Sequence, residues 1–133
     1  MGTNYYLREK QPCEACGRDY EPLHIGKSSG GWCFSLHVDP ESGINDLSDW
    51  EAKWAKPGAV IEDEYGDTIS VDSMRDVILN RSWPSLTIDH PQEYLTRNHA
   101  DLGPNGLLRH RIEPRLCIAH GDGTYDLCVG EFS

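Results

Sequence analysis

The chain has 133 residues, 38% of them hydrophobic, which suits one core rather than two independent ones. We therefore predict a single domain over residues 1–133. An apolar run of about 18 residues that could cross a membrane is absent, as is a secretion signal, so we expect a soluble, cytoplasmic protein with reduced cysteines. The net charge of −10 lies mostly in residues 39–93, and this negative field disfavours general binding to nucleic acids.

Three strands are predicted in the first part of the chain, and the last two form a hairpin through a glycine-rich loop. The predicted strands are residues 3–8, 23–25 and 32–38, and the loop is residues 26–31. Alternation in the third strand places Cys33, Ser35 and His37 on the face opposite its large apolar side chains. We expect the apolar face to pack in the core.

Two helices are predicted next. The first runs from residue 45 or 46 to residue 56, with Trp50 and Trp54 on one apolar side, which indicates that both tryptophans pack in the core. The second begins at a capping serine, Ser70, and continues to about residue 80. Between the helices, residues 60–63 and 68–69 predict a short hairpin.

The second half of the chain has weaker signals. Residues 81–106 predict a loop with a helical turn near residues 91–97, and residues 107–112 and 125–132 predict closing strands. The predicted fold class is α+β, with a small mixed or antiparallel sheet, two helices and an N-terminal zinc-knuckle hairpin within residues 1–40.

Cys13 and Cys16 form the most informative motif in the sequence. A Cys-x-x-Cys pair followed by Gly17 favours a tight knuckle in which two thiolates bind one tetrahedral zinc ion. A redox-active pair is the alternative, but such a pair usually opens a helix, whereas Gly17 continues as a turn. We therefore predict one structural zinc ion.

A closed zinc site needs two further ligands, and His24, Cys33 and His37 are the nearby candidates. Cys33 and His37 lie four residues apart on one strand, about 13 Å at the usual rise, so both cannot bind the same ion. A symmetric hairpin would place His24 opposite Cys33, whereas a register shift or bulge would favour His37. Spacing alone leaves this choice open.

The same region resembles a family of small, uncharacterised proteins of phages and prophages. The resemblance covers about residues 2–70 and rests on the strings GTNYYL, CxxCGR, HIGKSSGGWCFSLHV and INDLSDW. Relatives can carry Thr at the position of Cys33, so the resemblance implies Cys13, Cys16, His24 and His37 as the zinc ligands. It also implies a role in host takeover or in counteracting host defence.

The glycine-rich segment 26–31 is the predicted site for a small anionic ligand. Lys27, Ser28 and Ser29 could contact a phosphate or nucleotide from such a loop. A nucleotide-hydrolysing P-loop is excluded because Glu21 occupies the position of its first glycine and a strand, not a helix, follows.

Other residues suggest catalytic or metal-binding sites, but each of them has a simpler structural interpretation. His90, His99 and His110 suggest a metal-dependent nuclease only weakly, and Cys117 and Cys128 favour buried free thiols over a second metal site with His120. Arg109, Arg111 and Arg115 indicate a solvated edge strand or a small basic stripe.

We therefore predict a zinc-stabilised, non-enzymatic protein that binds a host protein or a small anionic ligand. The alternatives are a nucleotide sponge using residues 26–31, a metal-dependent nuclease, and an acidic mimic of DNA.

Overall fold

The computed structural model describes residues 2–9, 22–82, 91–112, 116–121 and 123–130. Within these residues the chain forms nine strands, and seven of them make one sheet in the order β5-β4-β1-β2-β3-β9-β8. The strands are β1 (Gly2–Glu9), β2 (Leu23–Ser29), β3 (Phe34–His37), β4 (Ala59–Asp63), β5 (Thr68–Ile69), β6 (Ala100–Leu102), β7 (Leu108–His110), β8 (Cys117–His120) and β9 (Tyr125–Cys128). Strands β3 and β9 are parallel, the other pairs of this sheet are antiparallel, and β6 pairs with β7 separately.

The described residues include three α-helices: α1 (Leu47–Trp54), α2 (Val71–Leu79) and α3 (Pro91–Arg97). The α+β class and the mixed sheet are therefore confirmed, and the predicted helical turn near residues 91–97 is the third helix. None of the helices in these ranges is long and apolar enough to span a bilayer. The predicted knuckle segment, residues 10–21, lies outside the described residues.

One face of the large sheet packs against α1 and α2. The core there contains Phe34 and Leu36 from β3, Trp50 from α1 and Met74 from α2, all less than 2% exposed. Helix α1 starts at Asp46, whose carboxylate accepts the backbone N–H of Asp49 while the Asp49 side chain accepts from the Asp46 N–H. The predicted burial of Trp50 and Trp54 is confirmed.

The opposite face of the sheet carries polar side chains, and we call it the polar face. Side chains alternate between the two faces along a strand, so a residue that lies between two core-facing residues points to the polar face. The polar face carries Asn4, His24, Ser35, His37, Cys117, His120, Asp126 and Cys128.

The β2–β3 hairpin differs from its predicted form. Residues 26–29 are not a loop: β2 continues to Ser29, and the turn lies at residues 30 and 31. Lys27 is opposite Ser35, so the symmetric register with His24 opposite Cys33 is not formed, and the alternative of a shifted register is the one observed. Trp32 also departs from expectation, since it packs against a separate cluster with Leu95 and Leu108 rather than with Phe34.

Candidate metal centres

A β-bulge in strand β2 positions His24 on the polar face. Tyr5 and Tyr6 of β1 pair with Gly26 and His24, so Ile25 is the extra residue of the bulge. Ile25 packs in the core, and a Cβ on Gly26 would collide with the Phe34 ring, so both residues occupy the core side. His24 therefore points to the other face.

His24 and His37 are neighbours on the polar face, with ring centres 5.4 Å apart. His24 Nε2 donates to Asn4 Oδ1 at 2.9 Å, and His37 Nδ1 donates to the carbonyl oxygen of His24 at 3.0 Å. These bonds orient both rings on the polar face, and His24 also has a hydrogen bond with the backbone of Gly26. Zinc-binding histidines in proteins are held by this kind of outer hydrogen bond.

The spacing of the two rings suits a shared ion. Two imidazoles on a tetrahedral zinc ion, with Zn–N bonds of about 2.05 Å, have ring centres about 5.2 Å apart. Burial, and then the nearby His37, lowers the pKa of His24 to about 4, so its ring is neutral at pH 7. A neutral imidazole is the form that binds a metal.

The other candidate ligands of this site have different positions. Cys13 and Cys16 lie outside the described residues. Because Ser35 is opposite Lys27, Cys33 lies beside the end of β2. Its distance from His24, measured along the strand, is therefore roughly 16 Å. Cys33 is buried, and burial together with Asp126 raises the pKa of its thiol to about 11.

The residues predicted to bind an anion lie within a strand. Lys27, Ser28 and Ser29 pair with Asn4, Thr3 and Gly2 of β1. The Lys27 side chain passes over Gly2, so close that a Cβ on Gly2 would collide with it. Their backbone therefore belongs to the sheet and does not form the anion-binding loop expected from the glycine content.

A cavity of about 190 Å³ adjoins the histidine pair. His24 and His37 form part of its wall, Trp50 and Ile44 contribute apolar surface, and Lys53 is the lysine on its lining. Asp39 also lines the cavity, so its wall combines apolar surface with one acidic and one basic side chain, which suits a small, mostly apolar molecule with a polar group.

A second group of metal-binding side chains lies on β8 and β9. Donor atoms of Cys117, His120 and Asp126 all lie within 4.8 Å of one another, close enough to hold one metal ion. Cys117 is opposite Cys128 and His120 is opposite Asp126, with a register shift that makes Ile118 the extra residue of a bulge. Without that bulge, Cys117 and His120 would point to opposite faces.

Asp126 is fully buried and is held by groups from β7. Arg109 donates from Nε to Asp126 Oδ1 at 3.0 Å, and the backbone N–H of His110 donates to Asp126 Oδ2 at 3.0 Å. Arg109 is therefore not part of the predicted basic stripe, whereas Arg111 pairs with Asp101 near the surface. Arg115 lies outside the described residues.

The Cys117 and Cys128 thiols hydrogen-bond to each other. The bond lowers the pKa of Cys117 and, together with burial, raises the pKa of Cys128. Both thiols are buried, and neither is in a disulfide.

Sequence reasoning missed Asp126, although the signal was present. Asp126 stands between Tyr125 and Leu127 in an apolar strand, where an unpaired carboxylate would be costly, so a buried charged partner was to be expected. Of the predicted nuclease residues, His90 lies outside the described residues, His99 is exposed, and His110 stacks on Trp32 at 4.8 Å between ring centres.

Comparisons with models of protein families, with curated proteins and with solved structures found no match to this chain.

Proposed function

We propose that this protein is a zinc-stabilised, non-enzymatic binding protein. One structural zinc ion is held by Cys13, Cys16, His24 and His37. The observation that carries this proposal is the spacing of the two imidazoles, 5.4 Å between ring centres, with both rings oriented by hydrogen bonds on the polar face. The Cys-x-x-Cys motif lies in the segment between β1 and β2, the strands that carry Asn4 and His24.

This ligand set defines a structural role for zinc. Four protein ligands close the tetrahedron and leave no position for a substrate or an activated water molecule. The ion would tie the segment between β1 and β2 to the hairpin formed by β2 and β3, so its binding energy contributes to folding. We therefore assign this ion a structural role and not a catalytic one.

The proposed binding target is a host protein or a small anionic ligand. The resemblance to phage and prophage proteins supports the first, and the cavity beside His24 and His37, with Lys53 on its wall, supports the second. Lys53 lies on the wall of this cavity, whereas the Lys27 side chain lies over β1. We therefore expect Lys53 rather than Lys27 to contact the anionic ligand.

Metal analysis of the untagged protein tests the zinc site. We expect Cys13→Ser and His37→Ala each to lose one equivalent of zinc by elemental mass spectrometry. Cys33→Ser and His99→Ala are the matched controls, a buried thiol away from the site and an exposed histidine, and should retain it. Unchanged zinc content in both Cys13→Ser and His37→Ala would refute the assignment.

Calorimetric titration tests the ligand role, with adenosine nucleotides and inorganic phosphate as probes. Binding that is lost in Lys53→Ala and kept in Lys56→Ala, an exposed lysine, would support the cavity, whereas loss in Lys27→Ala would support residues 27–29. Turnover of nucleotides or nucleic acid that disappears in His99→Ala would instead establish an enzyme and overturn the non-enzymatic role.

A further inference from the structure

The second donor group lies at the edge of the sheet formed by β8, away from the strands that carry His24. We propose that Cys117, His120 and Asp126 hold a second metal ion, a divalent transition ion of the zinc class, and that Cys128 is its fourth ligand. This site is proposed in addition to the zinc site above, and Cys128 lies opposite His37 across β9 and β3. The two sites share no ligand.

The donor types and distances support this assignment. Thiolate, imidazole and carboxylate are the three ligand types that zinc accepts in proteins, with bonds of about 2.0–2.3 Å. Donors on one tetrahedral ion are then roughly 3.5 Å apart. Since the present separations do not exceed 4.8 Å, a closure of about an ångström would complete the site.

Cys128 lies beside Cys117 but is not among the three residues whose donor atoms all lie within 4.8 Å of one another, so its sulfur would have to move toward the ion. Cys128 lies directly opposite Cys117 across β8 and β9, and the two thiols are in hydrogen-bond contact. Asp126 and Cys128 are two residues apart on β9 and share the polar face. A second thiolate would also offset the positive charge that a divalent ion brings close to Arg109.

The surroundings of Asp126 already orient the ligands. Arg109 donates to Oδ1 of Asp126, and the His110 N–H donates to Oδ2. Each carboxylate oxygen therefore keeps one lone pair that a metal ion can use. His120 Nε2 lies 3.9 Å from Asp126 Oδ1 and donates to the carbonyl oxygen of His110 at 2.8 Å. Metal binding through Nε2 would replace that hydrogen bond, and the neutral ring would then carry its proton on Nδ1.

An unpaired buried atom beside the carboxylate is a separate observation. His110 Nδ1 is buried and has no hydrogen-bond partner among the described residues, and it lies 3.5 Å from Asp126 Oδ2. Protein interiors rarely leave such an atom unsatisfied. The polar network around Asp126 is therefore incomplete, as expected where a further group binds.

Metal stoichiometry of the full chain, purified without a tag and under reducing conditions, tests the proposal. We expect two equivalents of zinc per wild-type chain, with one lost in Cys117→Ser and the other lost in Cys16→Ser. His99→Ala, an exposed histidine outside the donor group, should keep both. Circular dichroism confirms that each variant is folded.

The outcomes separate the two proposals. A single equivalent that is lost in Cys16→Ser and kept in Cys117→Ser would overturn the second site alone. A single equivalent with the reverse pattern would support the second site and overturn the first, and no bound metal would overturn both.

Cobalt(II) titration of the wild-type chain keeps the test valid if Cys117→Ser fails to fold. Tetrahedral cobalt with thiolate ligands gives charge-transfer bands, so we expect two successive phases in wild type and one in the near-isosteric Asp126→Asn. Weaker charge-transfer bands for the second phase in Cys128→Ser would support Cys128 as a ligand. A single phase in wild type, unchanged in Asp126→Asn, would refute the second site.

Discussion

Cys117 and His120 present their donor atoms to the same side of the sheet although they are three residues apart in one strand. Regular alternation would put them on opposite sides. The bulge at Ile118 removes this conflict, because Cys117 remains opposite Cys128 while His120 moves opposite Asp126. Strand β2 also has a β-bulge, at Ile25, and this bulge leaves His24 on the polar face.

Deletion of Ile118 should therefore abolish the second metal site. With the bulge removed, either Cys117 or His120 turns to the opposite face, and we expect zinc content to fall by one equivalent. Ile118→Ala keeps the residue count and serves as the control; because Ile118 is 39% exposed, this truncation should leave both equivalents bound. Retention of the second equivalent after the deletion would show that the bulge does not build the site.

The elements that could be predicted from sequence are those with strong local signals. The capped helix at Asp46, the capped helix at Ser70 and the short hairpin after Pro57 all appear near their predicted positions. In these elements the capping residues, the spacing of apolar residues and the turn residues all predict the structure that forms. The conformational preference of the local sequence and the tertiary packing therefore favour the same structure.

The candidate sites depend on features with no local signal. A bulge adds one residue to a strand, and nothing in the residues around Ile25 or Ile118 distinguishes it from regular alternation. The parallel pairing of β3 with β9 joins residues about 90 positions apart and brings Cys128 beside His37. The separation of Cys33 from His24 and the position of Asp126 beside Cys117 and His120 both depend on strand register, which the local sequence does not give.

Asn4 should control the affinity of the zinc site through His24. Asn4→Leu removes the acceptor that holds the His24 ring, and loss of such an outer partner typically weakens metal binding by about 10–100-fold. Competition with a chromophoric chelator measures the change. Asn4→Asp keeps an acceptor oxygen and should bind zinc nearly as tightly as wild type, so equal affinity in Asn4→Leu and wild type would contradict the proposed ligand role of His24.

Zinc should also stabilise the folded chain. A ligand that binds only the native state adds about 2.7 kcal/mol at a free concentration one hundred times its Kd, so the melting temperature should rise with zinc and fall on chelation. Thermal unfolding over a zinc series measures this, with His37→Ala as the variant whose response should be smaller. A melting temperature that is the same with zinc and with chelator would argue against a structural ion.

The Arg109–Asp126 pair should be among the most sensitive positions in the fold. Arg109→Met leaves a fully buried carboxylate without its counter-charge, and loss of one member of such a pair costs about 3–5 kcal/mol. Urea unfolding measures this loss, and the double variant Arg109→Met, Asp126→Leu should recover part of it. Arg75→Met, which breaks the exposed pair with Glu51, is the control and should cost about 1 kcal/mol or less.

The Asp46 cap should give α1 a stability contribution that depends on pH. The hydroxyl of Ser48, followed by the backbone N–H of Asp49, lowers the pKa of Asp46 below its ordinary value. A group whose folded-state pKa is lowered contributes stability above its unfolded pKa, about 3.9, and loses that contribution as the pH falls through the folded value. Asp46→Ala should therefore cost about 1 kcal/mol at pH 7 and less at pH 3.

Urea unfolding of wild type and Asp46→Ala at both pH values checks this expectation, with zinc chelated throughout so that metal release does not contribute. Asp46→Asn is the matched control, because its amide oxygen can still accept the Asp49 N–H but carries no titratable charge. Its stability relative to Asp46→Ala should be the same at the two pH values. An Asp46→Ala effect that does not shrink at low pH would show that the charge on Asp46 is not what stabilises the helix start.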